Sequence, residues 1–406
     1  MCLVTALLFI MLTYIRYSTA AVISSNAAHY EIMAVKIVSK PLYADNSRIV
    51  GRTRQQRVFT SCTRRLPHRF YGLSPSSNIR QRSRKSVTLS SSPLSSSFSS
   101  YFQPSEPPPT FTGKAIFPDI NLTQRATSYA ATRNEDPTAT FVVTGASRGI
   151  GCQLVKTLLQ RTKGQILACC RLPTKTNTPL HKFLSSVSQT DRIRVTLCRL
   201  DLEDQSTIDQ LQHDIHTNFN SRVDVLWNVA GLLGDGGIST PGPERSVTKL
   251  DRSFSERSFA INTIGPMMLC QALIPMMKVS RVTTTGSQVQ EPSRAPSLIV
   301  NLSARVGSIS DNNLGGWYSY RCSKAAMNQF TRTLAQETTR RQRTWAVSLH
   351  PGTTDTDLSA PFQKNVRPGK LFPVDFTANR MLDLVDCLEE KHSGGFYDWA
   401  GKALPF

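Results

Sequence analysis

From residue 138 onward, short apolar runs alternate with longer stretches in which apolar residues recur every three to four positions. The runs fall near 140–144, 165–170, 194–200, 223–228, 297–302, 345–349 and 395–399. Runs of this length, bounded by turn residues, have the size of buried strands. The stretches between them, such as the one carrying Leu154, Leu158 and Leu159, have the spacing of amphipathic helices. This alternation predicts βαβ units, and hence an α/β fold with a doubly wound, seven-stranded parallel sheet and helices on both faces. One domain, residues 138–406, is expected. The polar stretch 278–296, between a helix and a strand, reads as a surface insertion.

The chain ahead of residue 138 lacks this pattern. Residues 106–137 are expected to be a linker, marked by the prolines of 104–109, and the sequence leaves open whether 111–136 packs on the domain. Residues 1–105 contain 14 Lys and Arg against two acids, Glu31 and Asp45, and so supply most of the formal net charge of +20. This concentration, in a Ser-rich tract with few aromatics, argues against nucleic acid as a partner. The apolar run 2–15 is shorter than the ~20 residues that cross a bilayer, and the small residues 18–21 after it suit cleavage. The Arg- and Ser-rich segment that follows reads as a transit sequence. Together they resemble the two-part address of plastids bounded by extra membranes. A mitochondrial presequence starting at Met33, or an uncleaved disordered tail in a cytoplasmic protein, are the alternatives. No later stretch reads as a membrane span, so no stable membrane insertion is expected of the mature protein.

Nine cysteines occur without a C-x-x-C pair, which points to free thiols in a reducing compartment. The histidines do not cluster with them at ligand spacing, so no metal is expected.

Residues 144–151 read T-G-A-S-R-G-I-G and join an apolar run to a helical one. Such a turn can grip a pyrophosphate. Gly145 permits a tight turn, Gly149 and Gly151 remove Cβ atoms between backbone and ligand, and amides at the helix start face the anion. Arg148 lies inside the turn, and Arg171 follows the second run, where an acid would bind the ribose hydroxyls of NAD. Two guanidinium groups can instead hold a 2′-phosphate, which favours NADP(H) over NAD(H). Further on, Tyr320 and Lys324 are four positions apart, so on a helix they share one face. An ammonium beside a phenol favours the phenolate and suits the tyrosine to acid–base work.

The order Thr144 to Gly151, Asp201, Asn228-Val-Ala-Gly231, Asn262, Ser303, Tyr320-Arg-Cys-Ser-Lys324 and Pro351-Gly352 resembles the short-chain dehydrogenase/reductase family, over roughly residues 138–406. Asn301 to Ile309, Gly315 to Lys324, His350 to Leu358 and Gly394 to Trp399 look like the C-factor and sniffer-like carbonyl reductase subgroup. The resemblance implies a Rossmann fold and an oxidoreductase that interconverts a carbonyl and an alcohol. It makes Tyr320 the general acid/base, Lys324 also the holder of the nicotinamide ribose hydroxyls, and Asn262 the residue whose carbonyl holds a water. It implies cofactor contacts from Ser147, Ile150, Asp201, Leu202, Asn228, Ala230, Pro351, Gly352 and Thr356.

The catalytic hydroxyl departs from the pattern. The family places it immediately before x-x-Gly, which here is Ala304. Ser303 stands one position early and is the expected replacement if the strand ends before it, with Ser308 as another candidate. Trp317, Tyr318 and Phe362 are candidate pocket walls, or core. The expected substrate is a small-molecule ketone, aldehyde or alcohol. The rival reading, supported by Ala304, is a catalytically weak dinucleotide-binding sensor. Related proteins often pair through the helices that would hold Asn262 and Tyr320, so a homo-oligomer is an expectation.

Overall fold

The computed structural model describes residues 116–406, apart from Arg125 and residues 235–241, 280–283, 286–287 and 290–293. The targeting segment expected at 1–105 lies outside the described residues. Seven strands form one sheet: β1 Thr140–Thr144, β2 Gln165–Cys170, β3 Val195–Arg199, β4 Val225–Asn228, β5 Ser297–Leu302, β6 Thr344–His350 and β7 Phe396–Asp398. Their order is β7-β6-β5-β4-β1-β2-β3 and every neighbouring pair is parallel. The order reverses between β1 and β4, where open α/β sheets bind ligands beyond the carboxyl ends of their strands.

Both faces of the sheet are covered, which is why its strands read as continuous apolar runs. Phe141, Val143 and Val300 enter one core, while Val142, Leu226 and Ile299 enter the other. Helices α1 Ser128–Glu135, α2 Gly149–Arg161 and α7 Val374–Asp386 lie on the first face. On the second lie α3 Gln205–Asn218, α4 Arg252–Phe259 with its continuation α5 Gly265–Met277, and the 25-residue α6 Tyr318–Gln342. Helix α6 is polar yet well buried. Thr331 and Thr338 bond back to the carbonyls of Met327 and Leu334, and Asn301 reaches Thr331 across the interface.

A helical path runs unbroken from Arg252 to Met277, with a mean hydropathy of 1.4 over its most apolar window. By length and composition it reaches the size of a membrane span, contrary to the sequence reading that no later stretch does. It is a core helix here: Leu269, Cys270, Leu273 and Met277 are buried against the sheet.

The segment 116–136, whose place the sequence leaves open, packs on the domain. The Ile120 amide donates to Gly401, and Asp119 receives the Lys402 ammonium and the Ala403 amide. Arg133 and Asn134 both reach the Asp386 carboxylate, which Arg161 also holds.

Candidate active site

The glycine turn follows β1 and enters α2. Gly145 and Gly149 have φ of 67° and 57°, a left-handed backbone that side chains disfavour. A Cβ at Gly151 would stand 2.4 Å from the Gly145 carbonyl oxygen, and one at Gly145 would stand 3.0 Å from Ala230 Cα. The Val229 and Ala230 amides donate to Thr144 Oγ1, tying the end of β4 to the turn. Arg148, the residue that opens α2, makes no side-chain cap to its first-turn amides. This cradle fits a dinucleotide pyrophosphate.

Around the turn, Ser147 lends its carbonyl to Leu180, and Ile150 packs on the core. Arg148 is exposed and pairs with Asp357 at 3.0 Å, while Arg171 is exposed at the end of β2. Asp201 caps its own turn by accepting from Glu203, and Leu202 packs against Gly265. Asn228, expected at the cofactor, has its side chain turned into the core, where Nδ2 donates to Asn301 Oδ1 at 2.8 Å. Pro351 is buried, Gly352 takes a φ of 77° against the Phe372 ring, and Thr356 lies 3.4 Å from where a Gly149 Cβ would be. The 351–356 loop therefore meets the glycine turn.

Tyr320 and Lys324 stand on the first turns of α6 and are both buried. Lys324 Nζ lies 5.7 Å from the Tyr320 ring centroid and donates to the Leu302 carbonyl at 2.8 Å. Burial pulls the Lys324 ammonium down to about 8. It pushes the Tyr320 phenol up, so desolvation outweighs the help expected from the ammonium.

Asn262 lies in a π-helical turn, Ala260–Ile264, between α4 and α5, where the Gly265 amide reaches back five residues to Ala260. Such turns recur at functional sites. Its Oδ1 accepts from the Leu232 amide, and Nδ2 donates to the Leu232 carbonyl and to Ser323 Oγ. Ser323 in turn donates to the Tyr320 carbonyl, and Thr263 to that of Ser323. Asn262, Tyr320 and Lys324 are thus joined, and Gly231 lies between Asn262 and Lys324.

Ser303 does not join them. It is 4% exposed, its amide bonds to Leu349, and its Oγ is sealed from solvent without a hydrogen-bond partner among the described residues. Ser308 is buried and accepts from the Asp311 amide. Ala304 is half-buried. Above the tyrosine, the Trp317 ring lies 6.3 Å from that of Tyr320 and 5.3 Å from that of Phe362. Glu244, which no motif singles out, is buried beside Ser319. Its only sequence signal is an acid in a loop.

Residues 139–367 match the family described as short chain dehydrogenase. The C-signal protein of Myxococcus xanthus is 29% identical over 184 residues, 45% of this chain and 93% of that protein. A benzil reductase ((S)-benzoin forming) of Saccharomyces cerevisiae is 27% identical over 233 residues, 57% of this chain and 78% of its own. The NADPH-bound carbonyl reductase from chicken fatty liver has a TM-score of 0.54 at 27% identity, covering 66% of this chain and 98% of its own. The carbonyl reductase Sniffer of D. melanogaster gives 0.54 at 26%, covering 67% and 100%. With the family match over more than half of its length, a doubly wound parallel sheet and a glycine cradle beside a buried Tyr-Lys pair, the chain belongs to the short-chain dehydrogenase/reductase family of oxidoreductases.

Proposed function

We propose that the protein is an NADPH-dependent reductase of ketones or aldehydes, with Tyr320 as the proton donor. The observation that carries this is the burial of Tyr320 beside Lys324, on the helix that Asn262 anchors, at the carboxyl edge of the sheet. NADPH, when bound, supplies a hydride to the carbonyl carbon. Gly145, Gly149, Gly151 and the first amides of α2 would hold its pyrophosphate, and Thr356 and Pro351 would lie toward its nicotinamide end. Arg148 and Arg171 flank the cradle and favour a 2′-phosphate.

Tyr320 gives its phenolic proton to the carbonyl oxygen, which becomes the alcohol. Lys324 then stabilises the phenolate left behind, and a water on the Asn262 carbonyl would restore the proton. The relatives that carry a carbonyl substrate or NADPH in their names support the same chemistry.

A sensor reading is favoured by one observation, the sealed Ser303 hydroxyl beside Ala304, which leaves the carbonyl oxygen one donor short. The test is NADPH oxidation by the full chain with benzil, other ketones, aldehydes and quinones, with NADH and Tyr320→Phe as controls. Turnover that falls about 10²-fold or more in the mutant supports the reductase. Tight NADPH binding with no turnover across the panel supports the sensor.

A further inference from the structure

Glu244 takes part in none of the steps above, yet the start of the catalytic helix is built on it. It is 4% exposed, and its partners among the described residues are neutral. Its Oε2 accepts the Ser319 amide at 3.2 Å, and its Oε1 accepts the Ser319 hydroxyl. Ser319 Oγ also meets Ser255 Oγ of α4 at 2.7 Å. The Glu244 carbonyl accepts the Trp317 amide at 2.5 Å. One residue from the loop after β4 therefore satisfies two amides and a hydroxyl at the head of α6.

That head is unusual. Gly315, Gly316 and Trp317 have φ of 62°, 66° and 56°, three left-handed residues in succession, and Trp317 has no glycine's freedom. A non-glycine residue in that region is strained and persists only where its surroundings impose it. Trp317 provides no side-chain cap for α6. A carboxylate at a helix start is favoured by the exposed amides, and a buried one with no cation needs those donors.

We infer that Glu244 is a positioning residue for Tyr320: it caps α6 from 75 positions away, holds the left-handed turn at 315–317, and so sets where Tyr320 and the Trp317 ring stand. The inference rests on the reading of Tyr320 as the proton donor.

The test uses the full chain as wild type, Glu244→Ala, Glu244→Gln, Ser319→Ala and Tyr320→Phe. It measures native-state hydrogen exchange at 315–325, thermal melting, NADPH affinity, and kcat and KM with benzil. Glu244→Ala is expected to speed exchange at residues 317–321 at least ~10-fold with a Tm within a few degrees of wild type, and to lower kcat at least ~10-fold with NADPH affinity within ~3-fold. Glu244→Gln keeps one acceptor and should recover most of both. Ser319→Ala, which spares the carboxylate and serves if Glu244→Ala does not fold, should show a smaller loss of the same kind.

Wild-type exchange at 317–321 in Glu244→Ala overturns the clamp, as does a loss spread evenly over the domain. Full turnover by Tyr320→Phe removes the proposed donor instead, and the exchange result then still decides whether Glu244 holds the turn.

Discussion

The Lys324 ammonium donates to the Leu302 carbonyl at 2.8 Å and stands 5.7 Å from the centre of the Tyr320 ring, which it approaches through space and not by a hydrogen bond. The last carbonyl of β5 thus fixes the cation, and the tyrosine one helical turn earlier lies within its field.

A pH dependence follows from this pair. Burial holds the lysine at about 8, so above that pH it loses the charge that would stabilise a tyrosinate. Reduction, measured as kcat/KM for the carbonyl, should fall as the pH rises past about 8, and Lys324→Met should abolish that limb. The linkage has a definite sign. A lysine held below its ordinary 10.5 binds fewer protons folded than unfolded, so its contribution to stability rises between about pH 8 and 10.5. A flat rate from pH 7 to 9.5 would remove Lys324 from the chemistry.

Ala304 and Ser303 make opposite predictions. Ser303→Ala removes a hydroxyl with neither partner nor solvent, so kcat should change less than ~3-fold and stability should hold or rise slightly. Ala304→Ser places a hydroxyl one position on, where the family carries it, and should raise kcat by ~10-fold or more. Steady-state rates of the two variants decide it; the reverse pattern would assign the oxyanion role to Ser303.

Arg171→Ala and Arg148→Ala should each weaken NADPH binding ~10- to 100-fold, the worth of one charge-assisted hydrogen bond, and leave NADH nearly unchanged. Arg148 must first leave Asp357, an exposed pair of small worth. Asp357→Ala should therefore be close to neutral. Titration by cofactor fluorescence reads all three, and equal losses for both cofactors would move the arginines out of phosphate recognition.

Asp398 ends β7 in register with His350 of β6. Its Oδ1 accepts the Ala400 and Lys402 amides, while Oδ2 is buried without a partner among the described residues, and burial raises the acid to about 6. A carboxyl held above its ordinary 3.8 takes up a proton on folding between about pH 4 and 6, so its contribution to stability falls as the pH rises through that window. Asp398→Asn keeps the Oδ1 acceptor and removes the buried charge. It should be more stable than wild type by ~1–3 kcal/mol at pH 8, with the gap closing by pH 5. A lower Tm at pH 8 would mean that the Asp398 charge is stabilised in the fold.

The sequence alone determined the sheet and the glycine turn. Strands buried on both faces must be continuous apolar runs, and the seven runs lie where β1 to β7 form. The turn at 144–151 was equally legible, because glycine takes the left-handed backbone of Gly145 and Gly149 with the least strain and leaves the space needed at Gly151. Tyr320 and Lys324 were legible because helical spacing puts i and i+4 on one face. Tertiary structure decided what depends on direction and distance across the chain. It turned Asn228 into the core and sealed Ser303, since which way a side chain points at a strand end depends on where the strand stops. It docked residues 116–136 through Asp386 and Gly401, partners more than 200 positions away. It reversed the expected shift of Tyr320, because burial is a property of the packed domain. It also set Glu244 beside Ser319 at the head of α6, a contact between residues 75 apart that no local pattern encodes.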